Sequence, residues 1–122
     1  MSKRKKPLPN IDPYNPTKYA IQRLVSEISS LTKVIQCNNC DQLNGMGAVI
    51  PDLRQILLNL SLHQTEDEIY RTIIHELLHI LLPDLDELET ETLAQTLSHH
   101  HPLIKKIKTS YLHIFLEFEK RR

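Results

Sequence analysis

Tryptophan is absent from this chain, glycine and cysteine occur twice each, and neither sign of charge is in excess. Each shortage excludes something. Fifteen basic residues balance fifteen acidic ones, so no net charge draws the protein to nucleic acid or to a membrane surface. Cys37 and Cys40, in CNNC, are too few for a disulfide framework, and no second CxxC completes a zinc knuckle. Two reduced thiols in a turn is the simpler reading. No apolar run approaches the roughly 20 residues of a membrane helix. The basic start MSKRKKPLP leads into NIDPYNP and not into an apolar stretch, so no signal peptide is expected, and the expected location is cytoplasmic. Internal repeats are missing, and 122 residues suit one domain with one core.

Residues 1–14, basic and proline-rich without apolar periodicity, read as a flexible arm, either a solubilising tail or a contact for a partner or nucleic acid. The domain then spans 15–122. Asn15 and Pro16 read as a cap and a first helical position, and Ala20, Ile21, Leu24, Val25, Ile28 and Leu31 predict a helix over about 17–34. Both glycines fall in the turn-rich stretch QCNNCDQLNGMG. Alternation in RQILLNLSLH, with Ile56, Leu58, Leu60 and Leu62 on one side, predicts a half-buried strand. Short strands around Val34–Gln36 and Ala48–Ile50 complete a small sheet.

Thr65 and Glu68 have the spacing of a capping box, Ile69, Ile73, Leu77, Ile80 and Leu81 supply an apolar stripe, and Pro83 ends the helix. Asp86 and Glu89 repeat the box, opening a helix with Thr90, Leu93, Ala94 and Leu97 inward. After HHHP, with His101 as the expected cap, a single last helix is predicted over about 103–119. Ile104, Ile107, Tyr111, Ile114, Phe115 and Phe118 form its inner stripe. Helix, small sheet and three helices make an α+β pattern.

The chemistry concentrates in His75-Glu76-Leu77-Leu78-His79. Positions i and i+4 project from one helical face, so two imidazoles can grip one ion, zinc being the expected one. Glu76 then stands beside the remaining coordination position, where zinc lowers a water's pKa to about 7 and the carboxylate accepts its proton. A catalytic zinc wants a third protein ligand. Position 85, where a longer pattern would place a histidine, is Leu. Carboxylates on the following helix are the candidates. Glu89 is claimed by its capping box; Glu91 lies one turn inside the helix and is the expected ligand, with Glu87 next.

The stretch from LLNLSL through TEDEIYRTIIHELLHILL to ETLAQTL resembles the gluzincin branch of zincin metallopeptidases. It is most similar to short single-domain forms: minigluzincins, ImmA/IrrE-type peptidases and small phage-associated HExxH proteins. The resemblance implies a zincin-like fold, a small sheet before the HExxH helix, and a third ligand in an E-x-x-A setting, matched here by Glu91-Thr92-Leu93-Ala94. It also implies a peptide or unstructured-protein substrate paired along the strand before the metal helix, and an oxyanion donor, for which His99, His100, His101, Tyr111 and His113 are candidates. A C-terminal segment lying across the cleft is a further implication, against the plainer reading of that helix as core. The connection from His79 to Glu91 is short for this group. The competing expectation is a zinc-containing regulatory or interaction module without proteolytic activity.

Overall fold

Among the residues described by the computed structural model, 16–30, 33–36 and 46–121, the chain is α+β, with five α-helices and a three-stranded mixed sheet. The arm of 1–14 and the Cys37–Cys40 pair lie outside the described residues. Helix α1 is Pro16–Ser30, shorter than the 17–34 expected, and strand β1 already begins at Lys33. The β-branched side chains of Val34 and Ile35 suit that strand better than another helical turn.

Strands β2 (Gly47–Ile50) and β3 (Gln55–Leu58) form an antiparallel pair, joined by a 3-10 turn at Pro51–Leu53. β1 runs parallel to β3 on its other side, with Val34 opposite Ile56. Arg54 ties this sheet to α1 through a 2.6 Å ion pair with the buried Glu27.

Two expectations about β3 are corrected here. The strand stops at Leu58, because Asn59–Leu62 turns into a 3-10 segment in which Ser61 Oγ donates to Asn59 Oδ1 at 2.6 Å. Such short polar side chains offer local bonds that compete with a ladder. β3 is also the central strand, hydrogen-bonded on both sides, so no substrate strand can add to it.

Helix α2 (Glu66–Leu81) packs against α1, α3 (Glu87–Leu97) and strands β2 and β3. Its Ile69, Ile73, Ile74, Leu77 and Leu78 are fully buried. The expected single C-terminal helix is two, α4 (His101–Ser110) and α5 (Leu112–Lys120), broken at Tyr111 after the weak helix formers Thr109 and Ser110. The α4 cap is His100, whose Nδ1 accepts from the Leu103 amide at 3.3 Å, and not His101. No described helix is long and apolar enough to cross a membrane.

The inner stripe of α4 and α5 is core. Leu103, Ile107, Tyr111, Ile114, Phe115 and Phe118 are buried, with Phe115 against Tyr70 of α2 at 5.0 Å between ring centroids. Removing residues 101–122 would expose the apolar partners that these side chains cover on α1 and α2. The truncated chain is expected to be aggregated or unfolded by size-exclusion chromatography and circular dichroism; a soluble, cooperatively folded product would refute this role.

Candidate metal centre

Local chemistry sets where α2 begins. Thr65 Oγ1 accepts from the Glu68 amide at 3.2 Å, while Glu68 Oε1 accepts from the Gln64 amide at 2.6 Å. Burial of the apolar residues then fixes the helix's rotation. One strip stays uncovered, carrying Arg71, His75 and His79 at successive turns, with Thr72 and Glu76 beside it.

The turn after α2 brings α3 back alongside. Asp86 Oδ1 accepts from the Glu89 amide at 2.7 Å and Glu89 Oε1 accepts from the Asp86 amide at 2.9 Å, a complete capping box. This box holds the backbone at Glu87, the first residue of α3, so that position is as well defined as one deeper in the helix.

Glu87 reaches both imidazoles. One of its oxygens lies 2.8 Å from His75 Nε2, the other 3.1 Å from His79 Nε2. Glu91 approaches from the opposite side, with Oε1 2.7 Å from His75 Nδ1. His75, His79 and Glu87 each offer a ligand atom within 4.8 Å of the others, a set that suits a divalent metal. Glu91 is outside that set. Were a metal held on His75 Nε2, Glu91 would be the acceptor of that ring's Nδ1 proton.

Glu76 is the unusual group. It is 8 % exposed, and no hydrogen bond engages its carboxylate among the described residues. Burial pushes its carboxyl above the usual carboxylate range, with Glu87 adding to the rise while His75 and His79 pull it down. A carboxylate buried without donors is costly unless something is bound beside it.

His75, Glu76, Glu87 and Glu91 line an open cleft of about 250 Å3, to which Met46, Gly47, Arg71 and Thr72 also contribute. Gly47 is there because nothing larger fits: a Cβ would meet Thr72 Cγ2 at 2.8 Å and Glu76 Cγ at 3.5 Å. The histidines and tyrosine expected as oxyanion donors lie elsewhere. None of His99, His100, His101, Tyr111 and His113 lines the cleft, and His113 Nε2 instead donates to the Val34 carbonyl at 3.0 Å. α4 and α5 contribute no residue to it either. Arg71 and Thr72 were not among the site residues expected from the sequence, although their place four before His75 and Glu76 is a signal for the same helix face; Met46 and Gly47 carried no such signal. No family model, curated protein or solved structure matches this chain.

Behind the cleft, buried His63 bridges two elements. Its Nδ1 donates to the Asn59 carbonyl at 2.8 Å, and its Nε2 accepts from Thr72 Oγ1 at 2.9 Å. Thr72 has one proton to give, and this contact takes it ahead of the 3.9 Å approach to Met46 Sδ. Burial holds the His63 pKa below its ordinary 6.5, with Arg71 lowering it further and Asn59 and Glu68 opposing. The folded ring therefore stays neutral while the unfolded ring takes up a proton as pH falls through about 6.5. Its contribution to stability is present above that pH and is lost toward the lower folded pKa. Urea unfolding at pH 7.5 and 5.5 should show a smaller acid loss in His63→Gln than in the parent; equal losses would count against this assignment.

Proposed function

We propose that this protein is a zinc-dependent peptidase of the gluzincin kind, with His75, His79 and Glu87 holding the metal and Glu76 as the proton acceptor. The observation that carries the reading is Glu76. A surface ion pair or a purely structural metal site has no use for a buried carboxylate that lacks a hydrogen-bond donor among the described residues and stands beside two imidazoles. A general base in an HExxH site needs that placement.

The donor set fits the metal: two neutral imidazole nitrogens and one carboxylate oxygen are a catalytic zinc's usual three protein ligands. When bound there, zinc supplies Lewis acidity toward a carbonyl oxygen and acidifies water. The chain's own residues do the rest. Glu76 takes a proton from water as its oxygen attacks the scissile carbonyl carbon, and its raised proton affinity favours the transfer. The same carboxyl then gives the proton to the departing amide nitrogen as the C–N bond breaks. Glu91, accepting from His75 Nδ1, keeps that ring in the tautomer and orientation that presents Nε2 to the metal. Strand β2 is the edge strand nearest the cleft through Gly47, and an extended peptide can pair along it with little demand on side chains. Peptides and unstructured proteins are the substrates this implies.

Metal analysis of the purified chain should find about one zinc per molecule. His75→Ala and His79→Ala should lose it, and Glu87→Ala should weaken it more than Glu91→Ala, for which a loss of about 10–100-fold in affinity is expected. Full zinc retention in both histidine variants would sink the site, and the reverse order of the glutamates would return the ligand role to Glu91.

Glu76→Gln should keep zinc and fold while hydrolysis of unfolded casein falls by about 100-fold to 10,000-fold. Undiminished cleavage in that variant would exclude the mechanism.

A further inference from the structure

Arg71 stands in the cleft and has no partner it needs. It lies one turn before His75, about 6 Å along the axis of α2, on the same uncovered strip. Its side chain is 40 % exposed, and its Nε is 3.7 Å from Glu91 Oε2, beyond hydrogen-bond reach. Glu91 does not require it, because Oε1 already accepts from His75 Nδ1 at 2.7 Å and Oε2 from Gln95 Nε2 at 3.2 Å. No hydrogen bond holds the guanidinium among the described residues. Arg71 is the one fixed positive charge among the described residues lining the cleft, facing the carboxylates of Glu76, Glu87 and Glu91.

The geometry points to Arg71 as a specificity-determining residue that receives a carboxylate of the peptide substrate. The inference rests on the peptidase reading for the identity of the ligand as a peptide. Guanidinium is the side chain suited to bidentate capture of a carboxylate, and one held in an open cleft only by a 3.7 Å ion pair can exchange that contact for a closer one. The spacing restricts where that carboxylate sits. An extended peptide rises about 3.3 Å per residue, so one helical turn corresponds to about two residues from the bond that is cut. Two sources present this chemistry at that distance: the main-chain carboxylate of a peptide C-terminus, or an Asp or Glu side chain.

The test measures binding, apart from turnover. Zinc-loaded, full-length Glu76→Gln protein is titrated in a calorimeter with acetyl-Ala-Phe-Ala and its C-terminal amide, then with acetyl-Ala-Glu-Ala-amide and acetyl-Ala-Gln-Ala-amide. At least one acidic member should bind about tenfold tighter than its neutral twin. Which pair shows the difference identifies the source of the carboxylate. Adding Arg71→Gln should abolish the preference with zinc content unchanged, and Arg71→Lys should restore it in part as a point charge. Equal affinities within both pairs, absence of binding by all four peptides, or a preference that survives Arg71→Gln would overturn the proposal whether or not the parent cleaves casein. An Arg71-dependent preference in a chain that never cleaves casein would uphold the carboxylate subsite and defeat the peptidase reading.

Discussion

Helix α2 is packed by α1, α3, β2 and β3 at once, and the orientation of everything in the cleft depends on that packing. Ile69, Ile73 and Leu77 form one buried row, and Ile74 and Leu78 a second row displaced by one residue. Burying each such side chain contributes roughly 1.5–3 kcal/mol. Turning the helix by one residue would put His75 and His79 in the places of Ile74 and Leu78, losing those contributions while burying two imidazoles. The packing therefore sets which way the imidazoles leave the helix, and Glu87 and Glu91 hold the rings from α3. Apolar residues aim the polar ones.

What lies on the open strip is poorly explained as a device for stability. Glu87 has 73 % of its side chain exposed, and ion pairs of that kind contribute about 0–1 kcal/mol. Glu76 works against the fold, since its carboxyl is buried with no donor among the described residues. Capping does stabilise here, but the side-chain cap at Thr65 and the box at Asp86 need neither the Glu76 nor the Glu87 side chain. The strip is thus a place where local stability has been given up, and such places gather at sites of function.

Much of this was legible in the chain because the signals were local. Thr65, Asp86 and Pro83 marked helix ends, and the periodic Ile and Leu residues marked the buried faces of α2 and α3. His75, Glu76 and His79 followed from helical spacing alone. The rest was not legible for three physical reasons. Which of Glu87 and Glu91 meets which ring nitrogen is not encoded in periodicity, which does not report a side chain's reach across to another helix. The central position of β3 depends on β1 and β2, pairings that no feature within RQILLNLSLH reports. The break at Tyr111 interrupts an apolar stripe that is continuous across it, because Ile107, Tyr111 and Ile114 stay buried on both sides of the bend.

Glycine supplies the last constraint on the cleft. Only two are present, and Gly47 is the one at which β2 meets α2. A methyl group there would be 2.8 Å from Thr72 Cγ2, so Thr72 or the strand would have to move. Thr72 is not free to yield, because its hydroxyl is bonded to His63, which is bonded in turn to the Asn59 carbonyl. The strand would move instead, and β2 would shift away from Leu57 O at 3.2 Å and Glu76 Cγ at 3.5 Å, the other two atoms in the way. That displacement would open the apolar side of the Glu76 pocket to water, lowering the proton affinity that burial confers. The closeness of a strand to a helix, permitted by one missing side chain, is therefore part of what gives the carboxylate its chemistry.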